Sequence, residues 1–510
     1  MKQKRQGKVI LVGAGPGDAG LLTIKGEAML RRAEAVVYDW LVNPRLLALA
    51  PQAEKIFAGK KGGTHYKEQK EINQILLRLA RRGKSVVRLK GGDPFIFGRG
   101  GEEAGFLEEH KIPFEVVPGV SAGTGVPAYA GIPLTDRRFA SQVTFITGHE
   151  DPTKESSGLD WKKLAASEGT LVSFMGVRNL ANIVGSLLDN GKPARTPAAV
   201  IEWGTFPEQR VVVGTLRDIF VKTKQAGIES PALTIIGEVV RLRSKLDWFH
   251  KKPLRGKTVL VTRARAQASR LVEKLEDQGA EVLEFPTIEI FPPANPQAID
   301  REIRRISDYD WVVFTSANGA DSFFGRTRRL GKDARIFSKS KIAAIGEATA
   351  ASLERYGIKA DLVPAEFTSA ALFESLKKQN QIRGKSFLLA RADIAPPDLK
   401  ESLQKEGAQV TEIEAYRTRR PAHQKKELLG WLHRKKIDYI TFTSSSTVDN
   451  FFQSVPNELR RKIQSKFVSI GPVTSATLKR YGFKPNREAK AHTIEGVVQA
   501  IANGDSGRPS

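Results

Sequence analysis

Cysteine is absent from the 510 residues. No disulfide, thiolate nucleophile, cysteine-ligated zinc or iron–sulfur cluster can therefore form. The seven histidines are scattered, without HExxH or HxH spacing, so the reading includes no metal. Long apolar runs are missing too, and nothing approaches a membrane span. The start, MKQKRQGKVILVGAG, turns from basic to apolar, but its apolar run is too short and glycine-rich for a signal segment. A cytoplasmic protein without membrane partners is expected. What remains is ordinary globular material, 40% hydrophobic and 27% charged, long enough for three or four domains. The net charge of +25 calls for an anionic partner. Its Lys and Arg are mixed with Asp and Glu along helices rather than gathered in an arm, so a small polyanion suits the field as well as nucleic acid does.

The densest signal is Lys90–Glu103, KGGDPFIFGRGGEE. It follows the β-branched run Ser85–Leu89, which predicts a buried strand. Gly91 and Gly92 permit a sharp turn with uncovered N–H groups, and Asp93 stands at its mouth, where a carboxylate can hold a ligand amine or hydroxyl. Glu102 and Glu103 put acid into the first turn of a helix. A strand, a glycine loop and a helix make a ligand site at the carboxyl end of a parallel sheet. The stretch Lys8–Val12 is another strand, followed by Gly13–Asp18. A dinucleotide loop of GxGxxG type is excluded, since Asp18 stands at the third glycine position and Pro16 stiffens the turn. Further strands are predicted at Ala35–Tyr38, Phe114–Val117, from Gln142 to Thr147 and from Leu171, with a helix from Glu71 to Arg82. The polar stretch Glu150–Gly158 is the expected disordered segment.

These motifs resemble the uroporphyrinogen-III C-methyltransferases of the tetrapyrrole methylase family over roughly the first half of the chain. The resemblance rests on the GxGPGD loop, on Asp39 after the second strand, on the Phe57–Gly62 loop, on KGGDPFIFGRGGEE, and on Pro118–Ala122, Met175, Glu202–Thr205 and Ser230–Gly237. It implies S-adenosyl-L-methionine as methyl donor, bound by Pro16, Gly91, Gly92, Asp93, Ile96, Ser121, Ala122, Met175 and Gly204. It also implies Asp39 as proton acceptor and Lys60 as catalytic lysine. Read without the family, Lys60 is a solvated loop lysine and Met175 is core filling. One departure is Trp40, where the family usually has a basic or small residue.

The second half repeats itself. Arg255–Leu260 recurs as Arg383–Leu388, and Phe314–Ser316 recurs as Phe442–Ser444 at the same offset. Ala344–Glu347 and Arg355–Gly357 recur, slightly closer, as Ser469–Pro472 and Arg480–Gly482. Each unit alternates strands and helices, predicting two similar α/β lobes. This half resembles uroporphyrinogen-III synthase, on the two FTS loops, Ile470–Thr474 and Thr493–Gly496. The resemblance implies two lobes joined by a two-stranded ladder, Pro286–Phe291 with Glu412–Arg417. It implies too that the first βα unit of each repeat is exchanged between the lobes. It further implies assistance from Tyr416 as the substrate hydroxyl leaves. Ser316, Ser444 and Thr474 would hold substrate carboxylates; the plainer role for all three is helix capping, and both can hold together.

The fold expected is therefore α/β throughout. A two-subdomain methylase spans 7–248 (about 7–136 and 137–248), a linker 249–254, and a two-lobed synthase 255–503. Lobe A takes 255–287 with 418–503 and lobe B takes 291–414. The expected function is ring closure of hydroxymethylbilane to uroporphyrinogen III followed by its methylation to precorrin-2, without nucleic acid, in a homodimer formed through the first half. The alternative is a ribosomal RNA methyltransferase of the same fold fused to a two-lobed small-ligand module. It suits the charge but not KGGDPFIFGRGGEE or the synthase-like half.

Overall fold

The structure is a computed structural model that describes residues 7–59, 69–148, 158–262, 265–287, 289–419, 428–432 and 437–504. Lys60 and residues 150–157 of the expected disordered segment fall outside these residues. The chain divides into two compact units, one of residues 1–256 with 278–281 and the other of 257–277 with 282–510.

In the first unit, β1 (Lys8–Gly13), β2 (Ala35–Tyr38), β3 (Glu54–Phe57), β4 (Ser85–Lys90) and β5 (Phe114–Val117) form a sheet of order β3-β2-β4-β1-β5. All its pairings are parallel. Period-two alternation divides the strands between two cores. Val9, Leu11, Val37 and Val86 face Leu76 and Leu107, while Ile10, Val12, Val36 and Val87 face Leu30 and Leu46. Apolar burial on both faces accounts for the near-continuous hydrophobic strands. A second sheet holds β6 (Val143–Thr147), β7 (Thr170–Phe174), β8 (Pro197–Glu202), β9 (Arg210–Thr215) and β10 (Ala232–Ile236), in order β6-β7-β10-β8-β9. Only β6–β7 is parallel. The helix Ala122–Tyr129 packs Val126 against Ile235 and Ile201 of this sheet.

The segment read as a linker is not a free tether. Phe249 and Leu254 are buried, the Phe249 ring meets Tyr129 at 5.1 Å, and Arg255 reaches the Gln209 carbonyl. An aromatic residue following Trp248 gives these residues an apolar anchor that the lysines and proline around it concealed.

The second unit holds two sheets. The first has order β12-β11-β18-β19-β20, from β11 (Thr258–Val261), β12 (Glu281–Glu284), β18 (Tyr439–Phe442), β19 (Lys466–Ser469) and β20 (Arg487–Glu488). The other has order β13-β17-β16-β14-β15, from β13 (Glu289–Phe291), β14 (Trp311–Phe314), β15 (Lys341–Ala344), β16 (Ser386–Ala392) and β17 (Gln409–Arg419). The opening strands of each repeat thus complete the other repeat's sheet, as expected. The ladder forms elsewhere along β17 than expected. Glu289, Ile290 and Phe291 lie antiparallel to Arg419, Thr418 and Arg417, whereas Gln409–Tyr416 pairs in parallel with β16. Pro292 and Pro293 explain the shift, since neither offers an N–H to continue β13. The pairing therefore starts only where β17 outruns β16.

Candidate active site

Three loops at the carboxyl ends of β1, β4 and β5 converge. Gly15 and Gly92 form a bridge, with Gly92 N donating to Gly15 O at 2.7 Å. Asp93 Oδ2 accepts from Gly119 N at 3.0 Å and Oδ1 from Phe95 N at 2.8 Å, so the carboxylate ties the β4 loop to the β5 loop. A Cβ on Gly119 would stand 2.7 Å from Gly13 Cα and closer still to Gly92 O; only glycines allow the three backbones so near. Gly92 itself has φ +70°, and a Cβ there would meet only Ala122 N, at 3.5 Å. The space above that loop is therefore open, a cradle a side chain would fill. Around it stand Gly91, half-buried Pro16 and Ala122, buried Ser121 and exposed Ile96. Ser121 Oγ caps its helix by accepting from Gly123 N at 3.2 Å.

The second sheet brings its own loops to this place. Asp18 N donates to Thr205 Oγ1 at 2.9 Å, and the Phe97 ring lies 4.9 Å from that of Phe174. Met175, next in the chain, is 49% exposed. Gly204 is buried against Val126. Of the seven non-glycine residues at positive φ among the described residues, five sit here: Phe97, Arg99, Met175, Trp203 and Thr205. Such conformations cost about 1–3 kcal/mol each and persist where a site over-determines them.

Beneath the loops lies a buried group of charges. Arg88 and Lys90 alternate with Leu89 on β4 and so share one face. Glu103, 0% exposed, reaches them from the helix Gly100–Glu109. Its Oε1 accepts from Lys90 Nζ at 2.9 Å, from Arg88 Nε at 3.1 Å and from Gln69 Nε2 at 3.1 Å. Arg88 Nη2 stands 3.7 Å from Asp39 Oδ2, and Asp39 Oδ1 accepts from Leu41 N at 3.1 Å. Burial and the neighbouring Arg88 pull the Lys90 ammonium below its ordinary pKa, only partly opposed by Glu103. Burial alone would raise Glu103, but Arg88 and Lys90 outweigh it and hold the carboxyl below its ordinary value. The group fixes the Asp39 carboxylate from behind, at the mouth of the same cleft.

In the second unit Tyr416 and Ser316 are brought together. Ser316 Oγ donates to the Tyr416 hydroxyl at 3.1 Å and accepts from Gly319 N at 3.0 Å, so it caps its helix and meets the tyrosine at once. Tyr416 is buried, and burial is the main cause of a phenol pKa pushed upward; the group stays protonated at neutral pH. Ser444 caps the helix Ser445–Ser454 in a reciprocal capping box with Thr447. Thr474 is buried near the start of Pro472–Arg480. Both lie beside β18 and β19, in the other sheet from Tyr416.

Comparison with known proteins gives two family matches, "Tetrapyrrole (Corrin/Porphyrin) Methylases" over residues 8–219 and "Uroporphyrinogen-III synthase HemD" over 269–499. A porphyrin biosynthesis protein HemD of Ruminiclostridium josui is 38% identical over 97% of this chain and 97% of its own. The chain belongs to this HemD family. It joins a tetrapyrrole methylase to a uroporphyrinogen-III synthase. An S-adenosyl-L-methionine-dependent uroporphyrinogen III methyltransferase of Methanosarcina barkeri is 53% identical over 47% of this chain and 94% of its own. A uroporphyrin-III C-methyltransferase of Thermus thermophilus, solved with S-adenyl homocysteine, shares 43% identity with a TM-score of 0.40, covering 46% of this chain and 99% of that one.

Within the methylase half, the sequence reading found the glycine loops but missed Arg88, Lys90 and Glu103 as a connected group. A signal was present: two cations at alternate positions of an otherwise apolar strand need a buried counter-charge. Among the described residues no cluster of three or more potential ligands able to hold a metal is found, and no helix is long and apolar enough to cross a membrane.

Proposed function

We propose that the synthase half closes hydroxymethylbilane to uroporphyrinogen III with inversion of ring D, and that the methylase half methylates this product at C2 and C7 to precorrin-2. The observation that carries the reading is the match to a single HemD relative across both halves; the RNA methyltransferase alternative leaves the synthase half unexplained. The open cradle above Gly92 fits S-adenosyl-L-methionine, held by Pro16, Gly91, Gly92, Asp93, Ile96, Ser121, Ala122, Met175 and Gly204. Bound there, it supplies a methyl group on a cationic sulfur, which a carbon nucleophile displaces when the two are aligned. The attacking pyrrole carbon bears no hydrogen, so as it gains the methyl group a proton must leave the ring N–H or an adjacent methylene bridge. Asp39, its carboxylate held by Arg88 and Leu41 N, accepts it, and Lys60 completes the acid–base set. In the synthase half, Tyr416 remains a neutral donor and assists departure of the bilane hydroxyl, while Ser316, Ser444 and Thr474 bind substrate carboxylates. This reading places the protein in the cytoplasm as a homodimer paired through its methylase half.

The test is incubation of the full chain with hydroxymethylbilane and S-adenosyl-L-methionine, followed by identification of the tetrapyrrole. Precorrin-2 is expected, and Lys60→Ala should leave uroporphyrinogen III as the end product. Methyl transfer to RNA, or no ring closure, would refute the reading.

A further inference from the structure

Trp40 and Trp203 come from different sheets of the methylase half and meet with ring centroids 5.3 Å apart at 70°. Trp40 directly follows Asp39, and it remains 42% exposed, a large apolar surface left to water beside the proton acceptor. Each ring is held by its own scaffold as well as by the other. A Cβ on Gly59 would collide with Trp40 N, so the neighbouring loop presses on the Trp40 backbone. Trp203 stands at φ +48°, with its N–H bonded to Pro231 O at 3.1 Å and its ring backed by Phe206 at 5.5 Å. Thr205, at φ +70°, donates its N–H to Gln209 Oε1 at 2.9 Å and takes the Asp18 N–H. Two strained residues flanking Gly204 thus set one indole against the other. Such strain clusters at functional sites.

We propose that Trp40 and Trp203, touching edge to face, form an aromatic corner, a clamp open on one side, against which a pyrrole ring of the tetrapyrrole substrate stacks beside Asp39. A pyrrole is an electron-rich ring with an N–H edge, and indoles receive such rings face-on or edge-on. Both jaws are uncharged; the clamp reads the ring rather than the substrate's carboxylates, and it fixes which ring carbon stands over Asp39. The inference rests on the methyltransferase reading above.

The test uses the full chain carrying Trp40→Ala, Trp203→Ala or Trp203→Phe, assayed anaerobically with uroporphyrinogen III and S-adenosyl-L-methionine. Affinity for S-adenosylhomocysteine is measured calorimetrically in parallel. Each alanine variant should raise KM for the tetrapyrrole about three- to tenfold, the range of one aromatic pair. Homocysteine-ligand affinity should stay within about twofold of wild type, reporting an intact cradle, and Trp203→Phe should recover most of the loss. Unchanged tetrapyrrole KM in both alanine variants, or a loss falling on the methyl donor instead, would overturn the clamp while leaving the methyltransferase reading standing. Wild-type protein inert towards uroporphyrinogen III would sink that reading and the clamp with it.

Discussion

Glu103→Gln is the substitution that tests the buried charge group most sharply. Glu103 has no solvent exposure and faces two cations within 3.1 Å. Removing one partner of a buried ion pair generally costs about 3–5 kcal/mol, because the remaining charge is left uncompensated. Gln keeps the shape, and Lys90, already pulled down by burial, can shed its proton to limit the damage, which places the expectation near 3 kcal/mol. At roughly 2–4 °C per kcal/mol for a unit of this size, the methylase transition in a thermal scan should fall by about 6–12 °C. The pH dependence follows from the sign of the Glu103 shift. A carboxyl held below its ordinary value contributes stability that is full above pH 4.5 and is lost as pH falls through the lowered value. Wild type should therefore lose stability more steeply than Glu103→Gln on acidification below that point. The double variant Glu103→Gln with Lys90→Met removes both charges and should lose less than the sum of the singles. Additive singles, or a transition unmoved by Glu103→Gln, would refute the account of these charges as one neutralised group.

Gly119→Ala should abolish S-adenosylhomocysteine binding in a calorimetric titration, because its Cβ would push the β5 loop off Gly13 and Gly92; unchanged affinity would show that the three loops do not define the cradle. Tyr416→Phe should slow ring closure modestly and cost about 0.5–1.5 kcal/mol of stability through the lost bond to Ser316. A fully inactive yet stable variant would make Tyr416 more central than proposed.

The elements of the methylase half were legible because its strands are apolar and bounded by glycine turns; β2 and β5 fall where the β-branched runs place them. The helix that opens within KGGDPFIFGRGGEE carries Glu102 and Glu103 in its first turn, as read; that it starts at Gly100, after Arg99 turns through φ +57°, is a local conformation that no periodicity records. The loops' convergence was legible only through the family resemblance. Contacts such as Asp18 with Thr205 span the two sheets, and such pairings leave no spacing in the sequence. The ladder of the synthase half was misplaced for a related reason. Residues 409–419 make a single strand, and which of them pair with β16 and which with β13 depends on where β16 ends. The burial within 249–254 went unread because Lys, Lys and Pro outweighed a single Phe249, whose partner Tyr129 lies far away in the sequence.

The buried group also separates two uses of charge in one chain. Arg88 and Lys90 against Glu103 and Asp39 sum to zero, so this cluster adds almost nothing to the field outside the protein. Its oppositely charged members stand within 4 Å of one another, a distance at which desolvated charges hold geometry strongly. The excess of +25 must then come from the solvated faces, where screening confines its reach to about 8–10 Å. Such a field favours arrival of a polyanionic tetrapyrrole but cannot orient it. On the proposed reading, orientation falls to groups that are rigid and close, which at the methylase cleft are the strained loops, the Asp39 carboxylate and the two indoles. Raising the salt concentration should therefore weaken substrate capture far more than it slows methyl transfer from the bound state, and an equal effect on both would place charge in the orienting role instead.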